Sequence, residues 1–249
     1  MDFFIQNGIE WIVWIQSLGA WLEAPMKFFS FLGSEEFFLL AMPIFYWSIN
    51  TDLGIRMGLA LLVNTSVNHV FKVAMGGPRP YWVSQRVTPM AAETSFGIPS
   101  AHAQTAAGVW GICAAWLRKS WAWIVAAIIV LLIGFSRMYL GMHFLHDVLL
   151  GWLLGGLLVW AFTAYWDRVA GWLKTQSFAR QVGLAFLISM ILIGISALTV
   201  AAQSGFVIPD EWLVNSARAG GEKIDPVSLS GAITPAATLF GLAVGLAWM

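Results

Sequence analysis

Residues 121–166 read WAWIVAAIIVLLIGFSRMYLGMHFLHDVLLGWLLGGLLVWAFTAYW. Two long apolar segments, 121–137 and 147–166, flank a short stretch that is rich in polar and ionisable side chains. An α-helix crosses a bilayer with about 20 apolar residues, within a range of about 17–25, so each segment is long enough to span. The stretch therefore predicts two membrane-spanning helices joined by a turn. Polar and ionisable side chains next to membrane-spanning segments cost free energy, so this stretch indicates a candidate functional site.

The composition of the whole chain agrees with a membrane protein. Of its 249 residues, 59% are hydrophobic and 10% are charged, and the mean hydropathy is +0.76. A soluble domain carries about 25% charged residues, whereas the 15 tryptophans suit the boundary between hydrocarbon and headgroups. Basic and acidic residues number 13 each, which gives no reason to expect nucleic acid as a partner. The single cysteine, Cys113, excludes a disulfide framework and a thiolate metal site.

Further apolar segments on both sides predict a polytopic, all-α membrane helix bundle. Spans are predicted at 36–51, 53–74, 101–117, 183–203 and 229–249, some with flanking Lys or Arg that can snorkel. The segment 8–30 is ambiguous, because its uncharged core has only 12 residues and could either span or lie in the interface. Gly151 and Gly155 form a small-xxx-small pair that predicts close approach of a neighbouring helix. The N-terminus has no signal-peptide pattern.

Polar residues form three clusters at predicted helix ends. The first ends the 53–74 helix, the second opens the 101–117 helix, and the third lies in the turn after 121–137. Their members are Lys72, Arg79 and Pro80; Pro99, Ser100, Ala101 and His102; and Ser136, Arg137, His143 and Asp147. Because successive helices cross the membrane in opposite directions, all three clusters fall on one membrane face, where they can converge.

The residue types in these clusters suit phosphoryl transfer. Three are fixed cations for a phosphate dianion, and arginine can bind two oxygens at once: Lys72, Arg79 and Arg137. Ser100 can donate a hydroxyl hydrogen bond, and the N–H groups of Ala101 and His102 open a helix, where anions are favoured. A neutral imidazole can attack phosphorus, and an imidazolium can protonate a leaving alkoxide. Asp147 lies four residues after His143, which suits it to hold the Nδ1 proton of that imidazole.

These residues resemble the type 2 phosphatidic acid phosphatase family, which shares its active site with the vanadium haloperoxidases. The family pattern is Lys-x6-Arg-Pro, then Pro-Ser-Gly-His, then Ser-Arg-x5-His-x3-Asp. Ten positions between 72 and 147 match it in order and internal spacing, and Ala101 departs by replacing the family glycine. Since the expected contribution at 101 is a backbone N–H, alanine should serve unless the turn needs a positive φ.

The resemblance implies a metal-independent reaction in two steps, without a cofactor. His143 attacks and forms a phosphohistidine, while His102 protonates the departing group and then activates the hydrolytic water. Asp147 completes the catalytic set. The implied phosphate-binding residues are Lys72, Arg79, Ser100, Ala101 and Arg137. The implied partners are a lipid phosphate substrate and membrane lipids.

Other functions are compatible with the same pocket. Vanadate-dependent halide oxidation is associated with soluble proteins, so the predicted spans count against it. A phosphotransferase would pass the phosphate to an acceptor other than water, and a non-catalytic homologue would only bind lipid. Intact His143, His102, Arg137 and Asp147 argue against that last function. The lipid stays open among phosphatidate, phosphatidylglycerol phosphate, a polyprenyl pyrophosphate and a sphingoid phosphate.

The remaining polar residues have ordinary structural interpretations. His69 is expected to pack between helices, and a polar stripe formed by Asn64, Asn68 and Lys72 suits interhelical hydrogen bonds. Arg86 and Glu93, in the 76–99 loop, could touch a lipid headgroup, but they are expected to be solvated loop charges. The four histidines and the scattered carboxylates show no metal-ligand spacing.

The basic residues predict the orientation in the membrane. A six-helix core, residues 1–167, would carry the site, and residues 168–249 would add two transmembrane helices with a packing or assembly role. Short loops rich in Lys and Arg stay in the cytoplasm. Six basic residues lie on the face opposite the site, against four on its own face outside the motifs: Arg56, Arg118, Lys119, Arg168, Lys174 and Arg180, against Lys27, Arg86, Arg218 and Lys223. The predicted location is a bacterial inner membrane, with the site facing the periplasm or exterior.

Overall fold

The computed structural model describes residues 2–249, with side chains from residue 5 onward, and within them the chain is all-helical. The predicted fold class, an all-α membrane helix bundle, is confirmed. The helices are α1 (Asp2–Gln16), α2 (Glu23–Phe31), α3 (Glu35–Ile44), α4 (Thr51–Met75), α5 (Pro80–Val83), α6 (Ala101–Leu117), α7 (Ser120–Tyr139), α8 (Leu145–Lys174), α9 (Phe178–Ala202), α10 (Asp210–Ala217) and α11 (Ser230–Trp248). A 3₁₀ turn at Ala20–Leu22 precedes α2, and a π-helical turn at Phe45–Ile49 continues α3.

Among the described residues, four helices are long and apolar enough to cross a membrane by themselves: α7, α8, α9 and α11. A fifth span is available if Ala20–Phe31 and Glu35–Ile49, which meet at an angle of 54°, act together. Helices also form at the two other predicted spans, α4 and α6, but these pack inside the bundle. α6 has 17 residues, and α4 carries the polar stripe. Their position depends on helix packing more than on contact with lipid.

The N-terminal segment 8–30 is neither one upright span nor one interfacial helix. α1 ends at Gln16, and Gly19 adopts a φ of 115°, a left-handed conformation that glycine tolerates. A second break follows α2, where the side chain of Ser34 caps α3 by accepting a hydrogen bond from the Phe37 N–H at 3.2 Å. The predicted span at 36–51 is therefore the second half of a bent helix pair that begins at residue 20.

α8 extends eight residues past the predicted end of its span at 166 and stops at Lys174. The guanidinium of Arg56, near the start of α4, lies 3.7 Å from Asp167 and 4.7 Å from the ring centre of Trp166. This contact joins the beginning of α4 to the late turns of α8. The predicted boundary between core and extension, at 167/168, falls inside this helix, and both α9 and α11 pack against α4.

The polar stripe of α4 holds α6 through amide hydrogen bonds. Gln104 Nε2 donates to Asn64 Oδ1 at 2.7 Å, and Asn68 Nδ2 donates to Gln104 Oε1 at 2.8 Å. All three side chains are buried. The predicted interhelical hydrogen bonding of the stripe is confirmed, and it fixes the first turns of α6 against α4.

The glycine pair of α8 holds α6 from the other side. A Cβ atom at Gly151 would lie 2.7 Å from the carbonyl oxygen of Ser100 and 3.1 Å from the Cβ atom of Ala103. Only a residue without a side chain permits this approach. The predicted close contact at Gly151 and Gly155 is confirmed, and it places the N-terminus of α6 beside the first turn of α8.

Candidate active site

The three polar clusters lie together at one end of the bundle, joined by backbone hydrogen bonds. The Gly97 N–H donates to the Gly77 carbonyl at 2.8 Å, which ties the loop before α6 to the segment after α4. The Ser100 N–H donates to the Asp147 carbonyl at 3.0 Å, which ties the start of α6 to α8. These contacts set the relative positions of the candidate side chains.

A cavity of about 230 Å³ opens at this end of the bundle. Five of the eight candidate site residues line it: Lys72, Arg79, Ala101, His102 and His143. The other three lie behind the wall and are buried: Ser100, Arg137 and Asp147. Two carboxylates at the start of α3, Glu35 and Glu36, also belong to the lining. The lining thus combines cationic and acidic side chains.

Lys72 and Arg79 are positioned by carbonyl groups of the loop that precedes α6. Lys72 Nζ donates to the Phe96 carbonyl at 2.6 Å, and Arg79 Nε donates to the Ser95 carbonyl at 2.8 Å. Arg79 Nη2 also donates to the Phe96 carbonyl, at 3.2 Å. These hydrogen bonds orient both side chains through carbonyl oxygens, which are neutral acceptors.

His143 lies in the turn between α7 and α8, with 1% of its surface exposed. Its Nε2 atom is 3.3 Å from Nη1 of Arg79. A guanidinium can only donate, so Nε2 acts as the acceptor and the ring proton resides on Nδ1. Burial, and then the charges of Arg79 and Lys72, hold the pKa of His143 well below its ordinary value of 6.5. The side chain is therefore a neutral imidazole with its lone pair on Nε2, the form that can act as a nucleophile.

Asp147 contacts both His143 and the start of α8. Its Oδ2 atom accepts a hydrogen bond from the Phe144 N–H at 2.9 Å and lies 3.4 Å from Nδ1 of His143. Among the described residues Nδ1 has no hydrogen-bond partner, and an approach of about 0.4 Å would complete the bond to Asp147. The other carboxylate oxygen lies 3.2 Å from Nε2 of His146, whose ring stacks on Phe144.

The N-terminus of α6 presents Ala101 and His102 to the cavity. Ser100 Oγ caps the helix by accepting a hydrogen bond from the Ala103 N–H at 3.4 Å, and the side chain is fully buried. Arg118 is the only non-glycine residue with a positive φ in the described chain. Ala101 therefore adopts an ordinary helical conformation, and alanine replaces the family glycine there without backbone strain.

Arg137 is linked to the cavity by the carboxylate of Glu93, which no sequence motif identifies as a site residue. Its Nη1 atom donates to Ser30 Oγ at 2.7 Å, and its Nη2 atom donates to Oε1 of Glu93 at 2.9 Å. The second oxygen of Glu93 lies 3.7 Å from Nη2 of Arg79. The prediction that Glu93 is a solvated loop charge is wrong, because its side chain lines the cavity between two arginines. The sequence does contain a signal for this pairing, since Glu93 is the only acidic residue between Asp52 and Asp147, a range that includes all three cations of the motifs.

The charge of Glu93 is set by its neighbours. Burial alone would raise the pKa of its carboxyl group, but the charges of Arg79 and Arg137 outweigh burial and lower the pKa to about 2. Within the described part of the chain, no three His, Cys, Asp or Glu side chains come together as a metal site. Positive charge at the cavity comes from Lys72, Arg79 and Arg137, and Glu93 is the carboxylate that contacts both arginines.

Comparison with known proteins extends these observations. A family model described as the PAP2 superfamily matches residues 53–172, which include every candidate site residue. Phosphatidylglycerophosphatase B of Bacillus subtilis (strain 168) is 31% identical over 60% of this chain and 77% of that protein. Human Glucose-6-phosphatase 2 is 25% identical over 97% of this chain and 76% of that protein.

A solved structure gives the same result. The crystal structure of a transmembrane PAP2-type phosphatidylglycerolphosphate phosphatase from Bacillus subtilis aligns with a TM-score of 0.56 and 30% sequence identity. The alignment covers 66% of this chain and 86% of that one. Together with the helical bundle and its apolar spans, these similarities show that the chain belongs to the PAP2 superfamily and is an integral membrane phosphatase that hydrolyses phosphate esters.

Proposed function

We propose that this protein removes a phosphate from a membrane lipid phosphate or pyrophosphate through a phosphohistidine on His143. The observation that carries the proposal is the contact between Nε2 of His143 and the guanidinium of Arg79, at the wall of a cavity that His102 also lines. The proposal is supported by an imidazole, a guanidinium and a second imidazole that surround one space.

In the first step, the Nε2 lone pair of His143 attacks phosphorus and the bond to the leaving oxygen breaks. Arg79 turns its N–H from Nε2 to a phosphate oxygen, and Lys72 supports the charge from the same wall. His102, as an imidazolium, gives its proton to the leaving oxygen. In the second step, neutral His102 takes a proton from water, the resulting hydroxide attacks the phosphohistidine, and His143 is released with inorganic phosphate.

The residues behind the wall hold these groups in place. Asp147 orients the ring of His143 and stabilises the positive charge that the ring gains in the covalent intermediate. Ser100 and the N–H groups of Ala101 and His102 offer hydrogen bonds to phosphate oxygens at the start of α6. Arg137 completes the set of three cations, which supply the charge that a metal ion supplies in other phosphatases. We therefore expect the reaction to be metal-independent.

Two relatives point to different phosphate esters. The Bacillus relatives carry the name of phosphatidylglycerol phosphate, a lipid, and a cavity at one end of a membrane bundle suits a headgroup phosphate. The second candidate is a sugar phosphate, because similarity to Glucose-6-phosphatase 2 covers 97% of this chain. The acidic side chains of Glu35 and Glu36 in the lining also suit a leaving group with hydroxyls.

The deciding experiment is phosphate release from a substrate panel by purified protein in detergent. The panel contains phosphatidylglycerol phosphate, phosphatidate, a polyprenyl pyrophosphate, a sphingoid phosphate and glucose 6-phosphate. The proposal expects kcat/KM to be at least tenfold higher for one lipid than for glucose 6-phosphate. The opposite order would replace the lipid substrate by the sugar phosphate. Transfer of phosphate to added glycerol in preference to water would indicate a phosphotransferase.

The proposal includes the side of the membrane on which hydrolysis occurs. Arg56, near the end of α4 remote from Lys72, contacts Asp167 near the end of α8 remote from Asp147. The α6–α7 connection follows the end of α6 remote from Ala101, and the α8–α9 connection follows the end of α8 remote from Asp147. The basic residues of both connections therefore belong to the end opposite the cavity. The positive-inside rule then supports a cavity that faces the periplasm or exterior.

A further inference from the structure

The carboxylate of Glu93 occupies the arginine surfaces that a phosphate would use. Oε1 accepts from Arg137 Nη2 at 2.9 Å, and Oε2 lies 3.7 Å from Arg79 Nη2. Arg137 Nε is buried and has no hydrogen-bond partner among the described residues. A donor left unpaired beside an ion pair indicates that the arginine has capacity for another acceptor.

The backbone of Glu93 is fixed, whereas its side chain reaches open space. The Tyr81 hydroxyl donates to the Glu93 carbonyl at 3.2 Å and accepts from the Glu93 N–H at the same distance. The ring of Tyr81 is buried. The Glu93 side chain is 31% exposed and borders the cavity. Rotation about its side-chain bonds can therefore withdraw the carboxylate from the arginines without moving the main chain.

Carboxylate and phosphate compete for the same donors, because both present pairs of oxygens to a guanidinium. An incoming monoanion would replace the single negative charge of the Glu93 carboxylate with another single charge, so it would gain little binding free energy. A phosphate dianion brings a second charge, which Lys72 and Arg79 can bind beside the cavity. The withdrawal of the carboxylate therefore lowers the affinity for both kinds of anion by the same factor, and the dianion stays the tighter ligand.

We infer that Glu93 is an internal placeholder: its carboxylate occupies the arginines in the empty enzyme, and a phosphate dianion must displace it to bind. This inference rests on the proposed function, since it assigns the cavity to phosphate. Affinity for phosphate is then reduced by the fraction of enzyme in which the carboxylate is withdrawn. If the carboxylate occupies the arginines about 90% of the time, freeing them tightens phosphate binding about tenfold.

The test compares Glu93→Gln and Glu93→Asp with wild type and with Glu222→Gln, a matched change at an exposed loop residue. The measured quantities are kcat, KM, and the Ki values of inorganic phosphate and of dimethyl phosphate, a monoanion. Glu93→Gln should lower the Ki of phosphate about tenfold, lower KM in parallel, and lower the Ki of dimethyl phosphate by about the same factor. Glu93→Asp withdraws the carboxylate but keeps its charge, so both Ki values should fall less.

The outcomes separate this inference from the proposed function. If wild-type protein neither hydrolyses a phosphate ester nor binds phosphate, the proposed function fails. If wild type does both but neither Glu93 variant binds phosphate more tightly, the placeholder role is overturned and the carboxylate is a fixed structural clamp. Loss of folding in both variants, seen as a lowered melting temperature relative to Glu222→Gln, would also overturn the placeholder role and identify the carboxylate as a structural clamp. A melting temperature near that of wild type with a lower Ki supports the inference.

Discussion

Replacing Gly151 by alanine tests whether the contact between α6 and α8 sets the geometry of the site. The added Cβ atom would lie 2.7 Å from the Ser100 carbonyl oxygen, whereas ordinary contact begins at about 3.4 Å. The obstructing atom belongs to the main chain, so α6 must retreat by about 0.7 Å. That shift would stretch the 3.0 Å hydrogen bond from Ser100 to Asp147 and move His102 away from His143.

The structure gives a magnitude for both stability and turnover. Overpacking of this kind destabilises proteins by about 1–3 kcal/mol, and a misplacement near 1 Å can reduce a rate about 100-fold. We therefore expect kcat to fall about 10- to 100-fold and the melting temperature to drop. Gly156→Ala is the matched control, because a Cβ atom there meets no described atom within 4 Å and alanine improves helix propensity. If Gly151→Ala keeps a kcat within twofold of Gly156→Ala, the helix contact does not position the site.

Three further predictions follow from the charges of the site and from the topology. EDTA should leave hydrolysis intact and vanadate should compete with substrate, since cationic side chains bind the phosphate and vanadate adopts the geometry of phosphoryl transfer; activity lost to EDTA and restored by magnesium would contradict this. The profile of kcat/KM against pH should be bell-shaped, because His143 must be neutral and His102 protonated. The pKa of His143 is lowered, so its neutral form is lost only as pH falls well below 6.5, and a loss of kcat at saturating substrate that begins on the acid side above pH 6.5 would argue against the assignment. For sidedness, on a Cys113→Ala background, Gln85→Cys should react with a membrane-impermeant maleimide in intact cells and Ser120→Cys only after permeabilisation; the reverse labelling would invert the topology.

The sequence was sufficient to predict the bundle and to bring the three clusters together. Apolar length defines a span, and alternation of spans assigns helix ends to faces, so both depend only on local composition and chain order. The spacing of the two glycines in α8 predicts the close contact with α6 for the same reason. The stripe of Asn64 and Asn68 predicted its hydrogen bonds, although their main partner, Gln104, was not identified because α6 shows no polar periodicity around it.

Features that depend on contacts between distant segments were not predictable in this way. A hydropathy pattern ends α8 at the first charges, but Arg56 on another helix pairs with Asp167, and the helix continues to Lys174. Residues 8–30 are ambiguous in the sequence because two breaks divide the segment. The prediction for Glu93 is wrong because its carboxylate contacts Arg79 and Arg137, and contacts between distant segments have no sequence pattern.

The covalent intermediate gives the most direct test of the central claim. Wild-type enzyme turning over a labelled substrate is quenched in alkali, where phosphohistidine survives, and the label is located by mass spectrometry. We expect the label on His143 and expect acid to remove it. His143→Ala should carry no label, and its turnover should fall by about 10⁴-fold or more. His69→Ala serves as the histidine control and should still be labelled at 143. Label on any other residue, or a His143→Ala variant that keeps a tenth of the wild-type activity, would contradict a phosphohistidine intermediate on His143.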